Sequence, residues 1–391
     1  MRMRAIWALP AAAMMACTIA AGRAAADDSA YQVGVTAALT GPASGSYAPI
    51  LASMRLYLDR VNKAGGVNGH PVKLIVEDDQ GEASRAAANV KKLTVDNNLV
   101  LLVNDSLSST YLPTMAEVRR ADMPLLFAGI CPKEVYPPAD RLMFCASLFG
   151  AGYDTRNAFD FVKEKAGGDV RIAVIALSIT VSRAEADYAM KYAKEVGFTA
   201  VDEEIAPPTT PDYTPYASRL IAKNPNWIYA WGPWFMQVKV YEALRKLGWK
   251  GDFICSAQMD AGPDLARIKD PHLYINGPDT LVSDNLLAHQ EIAAASKQAG
   301  LSYPTNLLVE GWIQGTVITQ ALKDTGWPAT PEKVRAAMSK VRVGLGGVRG
   351  GDLTWTDTNH FRAVQYYRVW HWSDKDGKVV VIQDWKPYDV K

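Results

Sequence analysis

The sequence predicts an α/β protein made of two lobes of similar plan. Short apolar runs alternate with helix-period segments of about a dozen residues, the pattern of βαβ units and a parallel sheet. The rhythm runs from Tyr31 to Phe127 and restarts at Tyr153, so two domain-sized units follow one another. The chain has 391 residues, enough for two or three domains.

Tyr31–Leu39 reads as the first strand, followed by a Gly- and Pro-rich loop, Thr40–Ser46. Ile50–Lys63 is helical, because Ile50, Met54, Leu58 and Val61 share one face, and the glycine turn Gly65–Gly69 ends it. Val72–Val76 is the second strand and runs into Glu77-Asp-Asp-Gln80. Ser84 caps a helix through Val95. Leu99–Val103, Thr114–Arg120 and Leu125–Phe127 are strand, helix and strand. The second rhythm has helices over Tyr153–Lys165, Arg183–Glu195, Thr214–Lys223 and Phe235–Leu247. Its strands are Val170–Ala176, Ala200–Ile205, Trp227–Ala230 and Phe253–Cys255. Helices over Leu286–Gln298, Leu308–Thr325 and Pro331–Ser339 follow, and Gly344–Gly351 reads as a hinge or turn with Leu345 and Val348 as its core residues. Leu353–Trp355, Ala363–Trp372 and Val379–Asp384 close the chain as antiparallel strands, with a hairpin turn at Asp376-Gly377.

The amino terminus reads as a targeting segment. Met1–Arg4 is basic, Ala5–Ala21 is apolar and Ala24–Ala26 offers small residues for cleavage, so residues 1–26 are expected to be a signal peptide. Cys17 raises the alternative of lipidation, but Met14-Met-Ala16 fits a lipobox poorly. Without Arg2, Arg4 and Arg23 the chain holds 39 basic and 41 acidic residues, a net charge of −2. That balance makes no electrostatic case for nucleic acid or an anionic membrane. Export permits disulfides. Cys131 and Cys145 flank a 13-residue loop holding Pro132, Pro137 and Pro138, and are expected to pair. Closing such a loop is worth roughly 3 kcal/mol in the chain-entropy model. Cys255 is expected in a buried strand, with no neighbour in sequence to activate it as a nucleophile.

The stretch with chemistry is Asn104–Tyr111. A strand that stops in a serine cluster and opens a helix leaves hydroxyls and free N–H groups at the carboxyl edge of the sheet, where ligands bind. Ser106, Ser108, Ser109 and Thr110 are candidates to hold an anionic head. The alternative is that one serine is an N-cap. Asp105 would repel an anion, so it must point away or the ligand's polar end is not a carboxylate. The first strand is not followed by a dinucleotide-binding glycine motif, and no Gly-x-Ser-x-Gly or P-loop is present. His70, His272, His289, His360 and His371 share no ligand spacing, so no metal site is expected. His70 reads as a solvated turn residue, and His360 and His371 as surface or strand residues.

Gly34-Val-Thr-Ala-Ala-Leu-Thr-Gly-Pro42, Asn62-Lys-Ala-Gly-Gly-Val-Asn-Gly69 and Glu77-Asp-Asp79 before an Ala-rich helix resemble the type I periplasmic solute-binding proteins of ABC importers, in the Leu/Ile/Val-binding branch. The resemblance covers essentially the whole mature chain. It implies a periplasmic-binding-protein-like I fold, with two doubly wound parallel-sheet lobes joined by three crossovers near Ser147–Gly150, Thr280–Ser283 and Gly344–Gly351. Lobe 1 would comprise residues 31–147 plus 281–345, and lobe 2 residues 148–280 plus 350–391. A small ligand closes between the lobes and is passed to an inner-membrane permease. No catalysis, cofactor or nucleic acid is implied, and a periplasmic monomer is expected. A sensory protein of the same fold, signalling to a receptor, is the rival reading.

Carried over by order, the resemblance places Ser108 and Ser109 on a ligand carboxylate, helped by Ala128, Gly129 and Ile130. Ser46 or Tyr47 would contribute from the first loop. Val181 or Ser182, Trp231–Trp234 and Gln258 would contribute from lobe 2. Two departures bear on the ligand. Amino-acid binders carry an acidic residue after the strand matching Phe253–Cys255, where this chain has Ser256-Ala-Gln258; a two-residue shift would bring Asp260 into play. A buried ammonium without a counter-charge costs several kcal/mol. Trp231-Gly-Pro-Trp234 replaces a smaller segment, and two indoles can form an apolar wall or simply pack the helix start. The expected ligand is therefore an aromatic or short aliphatic carboxylate, of the benzoate and cinnamate type bound by similar proteins. A Leu/Ile/Val binder proper is the alternative.

Overall fold

The computed structural model describes residues 29–96, 98–147, 152–257 and 261–391. The chain begins β1 (Tyr31–Ala37), α1 (Ser44–Lys63), β2 (Val72–Asp78), α2 (Ala83–Asp96) and β3 (Leu99–Asp105). It continues α3 (Tyr111–Ala121), β4 (Leu125–Phe127) and β5 (Met143–Cys145). These five strands form one all-parallel sheet in the order β2-β1-β3-β4-β5.

A second set follows: α4 (Tyr153–Ala166), β6 (Arg171–Leu177), α5 (Thr180–Glu195), β7 (Thr199–Ala206), α6 (Thr214–Ala222) and β8 (Trp227–Trp231). Then come α7 (Trp234–Lys246), β9 (Asp252–Ser256), α8 (Gly262–Ile268) and β10 (Leu273–Gly277). The chain returns to the first lobe with α9 (Leu287–Ala299), α10 (Val309–Thr325), α11 (Pro331–Met338), and the two-residue strands β11 (Arg342–Val343) and β12 (Leu353–Thr354). It ends with the hairpin β13 (Val364–Ser373) and β14 (Lys378–Asp389). The second sheet has the order β14-β13-β10-β9-β8-β6-β7, parallel except for the terminal hairpin. Both sheets therefore reverse strand order once, at β1/β3 and at β6/β8, and those switch points are where α/β sheets hold ligands.

The central strands are buried on both faces, as parallel strands between helices must be: every residue of β1, β3 and β8 is buried. The Gly65–Gly69 turn is a packing requirement, because a Cβ on Gly66 would sit 2.2 Å from the His70 carbonyl oxygen, at φ +76°.

Several expectations change. Helix α1 starts at Ser44, inside the stretch read as loop, with Pro49 in its second turn. The three-residue strand β5 and the short helix α8 are additional elements. Ser84 lies inside α2 rather than before it. His70 stacks on Trp327 with ring centroids 3.8 Å apart, so it is not merely solvated. His360 is buried against Phe144 rather than on the surface.

Of the first expected crossover, residues 148–150 lie outside the described residues. The stretch Gly344–Gly351 does not itself carry the chain across. It runs beside the second crossover, where Asp279 bridges Arg349 and the Thr280 N–H donates to the Val348 carbonyl at 3.3 Å. The chain then follows the edge of the first sheet, with the Cys145 N–H donating to His360 O at 3.1 Å, and enters the second sheet only at Val364. Arg349, read as a turn residue, is buried and paired with both Asp279 and Glu310.

Candidate ligand-binding site

At the carboxyl edge of the first sheet the hydroxyl cluster divides its work. Ser106 Oγ donates to Asp79 Oδ1 at 2.6 Å, and Thr36 Oγ1 donates to Asp79 Oδ2 at 2.8 Å, which joins the ends of β1, β2 and β3. Thr110 Oγ1 donates to the Leu107 carbonyl at 2.7 Å and Ser109 Oγ to the Gly81 carbonyl at 3.3 Å. Among the described residues it is Ser108 of this cluster that reaches the other lobe: its Oγ accepts the Val181 N–H at 3.1 Å. No side chain caps α3. The cap reading thus changes form, because Ser108 satisfies the first turn of α5, whose own N-cap residue Ile179 makes no side-chain cap.

The loop after β4 packs on the same edge. The Ala128 N–H donates to the Asn104 carbonyl at 2.9 Å, and the Ile130 N–H donates to the Tyr111 hydroxyl at 2.9 Å. Gly129 has no room for a side chain: a Cβ would lie 3.0 Å from the Tyr47 ring and 3.2 Å from both Ser106 O and Tyr111 Oη. Tyr47 is buried here, and burial, then Tyr111, Asp105 and Asp79, push its phenol well above the ordinary value. Asp105 is fully buried with no hydrogen-bond partner on either oxygen. Burial, and then Asp79 and Glu310, hold its carboxyl well above the usual range.

The lobe 2 edge mirrors this. Gln237 Nε2 donates to Gly232 O at 2.7 Å and to Ser256 O at 2.6 Å, while its Oε1 accepts the Ser256 N–H at 3.1 Å, locking the ends of β8 and β9 together. Ser182 Oγ is buried, lies beside Gly232 and has no partner. Both indoles expected as a wall have hydrogen-bond partners within lobe 2. Trp231 is buried, and its Nε1 donates to Asp154 Oδ2 of α4 at 2.8 Å. Trp234 donates to Asp264 Oδ2 of α8 at 2.7 Å. Gln258 and Asp260 lie outside the described residues.

Between α3 and α5, one element from each lobe, lies a cavity of about 420 Å³. Tyr111, Leu112 and Met115 line it from α3; Thr180, Val181, Ala184, Glu185 and Tyr188 line it from α5; Cys131–Glu134 and Gly152 complete it. The Glu185 carboxylate is already committed to α4, accepting from Gly152 N at 2.8 Å, Thr155 N at 3.2 Å and Thr155 Oγ1 at 2.6 Å. Burial raises its pKa against the lowering effect of those bonds. The cavity wall at Cys131 is pinned by a disulfide to Cys145, with a Cα–Cα distance of 5.6 Å. Cys255 is buried and its thiol pKa is raised by that burial, which suits a structural role.

None of Tyr47, Ser108, Ser109, Ala128, Gly129, Ile130 or Ser182 lines this cavity. Two of them are bonded to its lining, Ser108 to Val181 and Ile130 to Tyr111. The lining forms two helical stripes, Tyr111/Leu112/Met115 and Val181/Ala184/Tyr188, of which the sequence reading named only Val181 as a contact, although their spacing was visible. What was not visible is that the two stripes face each other.

The family model described as periplasmic binding protein matches residues 30–378. Among solved structures, the chain is similar to a solute-binding protein of an ABC transporter from Rhodopseudomonas palustris BisB5, in complex with 3,4-dihydroxybenzoic acid. That match has 16% identity and a TM-score of 0.78, covering 93% of this chain and 98% of that one. A fatty acid ABC transporter substrate-binding protein from Thermomonospora curvata matches at 16% identity and TM-score 0.74, covering 93% and 95%. A putative branched-chain amino acid ABC transporter protein from Rhodospirillum rubrum matches at 21% identity and TM-score 0.61, covering 90% and 100%.

Proposed function

The chain belongs to the periplasmic binding protein family, and from that premise we propose that it captures a small aromatic or aliphatic carboxylate between its two lobes. Membership makes it a solute-binding component of an ABC import system, not an enzyme, working in the periplasm or outside the cell with a permease as partner. Cleavage after a signal peptide at residues 1–26, a periplasmic location and a monomeric state belong to the proposal.

The observation that carries it is the contact of Ser108 Oγ with the Val181 N–H. There the first turn of α5 meets a hydroxyl of lobe 1, and the next residue, Ser182, has a buried Oγ with no partner. Backbone N–H groups and hydroxyls from two lobes at one point suit an anionic head group. A carboxylate would take up the Val181 N–H in exchange for Ser108, whose hydroxyl then turns to donate. Ser109, Ala128, Gly129, Ile130 and Tyr47 shape the lobe 1 side, and Ser182 the lobe 2 side. Lobe 1 comprises residues 31–147 and 281–362, and lobe 2 the remainder of the mature fold. The neighbours described with dihydroxybenzoic acid and as fatty acid-binding support a carboxylate without an ammonium.

Calorimetry with leucine, isoleucine, valine, benzoate, 4-hydroxybenzoate and 3,4-dihydroxybenzoate tests this. At least one of the simple acids is expected to bind and the amino acids are not. Micromolar leucine binding, about −8 kcal/mol, would overturn the reading.

A further inference from the structure

The cavity between α3 and α5 is graded from floor to rim. Met115 on the floor is 1% exposed, and Val181 is buried beside it. At the rim Leu112 is 60% exposed on lobe 1, and Ala184 is exposed on lobe 2. The polar groups on the walls are mostly spoken for, Glu185 by α4 and Tyr111 by the Ile130 N–H. Lys133 and Glu134 stand in the disulfide-closed loop. The volume of about 420 Å³ falls in the range of pockets that enclose whole small ligands, ~300–1,000 Å³, and it is more than a carboxylate head needs. The chamber is also continuous with the head-group contact, since Val181 belongs to both.

Resting on the carboxylate reading above, we propose that this cavity is a tail chamber for the hydrocarbon part of the ligand, and that Leu112 and Ala184 set the chain length it accepts. An acid bound with its head at Ser108 and Val181 extends its apolar tail between the two helical stripes. The tail packs on the already buried Met115 and Val181, covers the exposed Leu112 and is itself removed from water. The two rim residues sit on different lobes, so the tail is gripped only when the lobes face each other. Ala184, without a side chain beyond Cβ, leaves the way open on lobe 2.

Straight-chain acids from butanoate to decanoate are the probes, measured by calorimetry on the intact mature protein. Affinity is expected to rise roughly fourfold per added methylene, the transfer free energy of a buried CH₂, and then level off when the chamber is full. Ala184→Trp and Leu112→Trp, both at exposed helix positions, are each expected to flatten the rise, so that octanoate binds no tighter than butanoate. A Ser108→Ala variant reports on the head group separately, by weakening every chain length by one common factor. A rise that persists in both tryptophan variants overturns the chamber. A wild type that binds all chain lengths equally also overturns it, while the carboxylate reading stands. A wild type that binds none of the straight-chain or aromatic acids overturns the carboxylate reading and the chamber together.

Discussion

Asp105 sits one residue before the serine cluster and forms no full hydrogen bond on either carboxylate oxygen, with only the Leu51 backbone N–H opposing the rise of its pKa. Its pKa is raised in the folded protein, so between the ordinary carboxylate value of about 3.9 and that raised value the folded chain binds more protons than the unfolded one. Stability from this group is therefore full at low pH and lost as the pH rises through that window. Asp105→Asn is expected to flatten the fall, giving a higher urea midpoint than wild type at pH 8 and little difference at pH 4. Equal midpoints at both pH values would show that Asp105 is solvated or paired. Ser108→Ala is expected to weaken carboxylate binding by about 1–2 kcal/mol, the scale of a lost cap or charge-assisted bond, read by calorimetry. The serine cluster was legible as a feature, but the partner of Ser108 lies 73 positions further on, in another lobe. The choice between wall and packing for Trp231 was not legible for a physical reason: β8 is buried throughout, so no polar alternation marks which face each side chain takes.

Two elements share one clamp. Glu185 of α5 satisfies the N–H groups of Gly152 and Thr155 at the start of α4, which fixes α5, and with it the Val181 N–H, relative to the rest of lobe 2. Glu185→Ala leaves those buried donors unmatched and is expected to cost about 1–3 kcal/mol in urea unfolding. Gly129→Ala forces a methyl against Tyr47, Ser106 and Tyr111, with an expected cost of about 1–3 kcal/mol. A midpoint unchanged from wild type would mean the loop after β4 has slack. The long periodic helices and apolar strands were readable because their hydrophobic spacing is local. The elements that escaped, β5 and α8, are three and seven residues long, too short to complete a pattern. Helix α1 hid its first turn behind Gly41, Pro42, Gly45 and Pro49, which in sequence punctuate a loop.

At the scale of the molecule, two sheets with one reversal each face one another across their carboxyl edges, and a buried arginine braces the connection behind them. Arg349 joins Asp279, at the second passage between sheets, to Glu310 in α10. Arg349→Met would bury both carboxylates without their counter-charge and is expected to cost about 3–5 kcal/mol, seen as a lower thermal midpoint. A Gly-rich stretch advertises a bend, and so the buried ion pairs of its arginine were unreadable: the acids that explain Arg349 stand 70 and 39 positions earlier.

The bond between Cys131 and Cys145 closes fifteen residues into a ring. One end adjoins Ile130 and the cavity wall; the other stands two residues before Ser147, where the chain leaves the first sheet. Protein made in a reducing cytoplasm would carry that ring open, with the wall free to drift from the strand that anchors it. The oxidation history of a preparation is then a hidden variable in any affinity measured on it. A thiol titration giving one reactive group after denaturation, from Cys255, is the quality control that makes two laboratories' binding constants comparable.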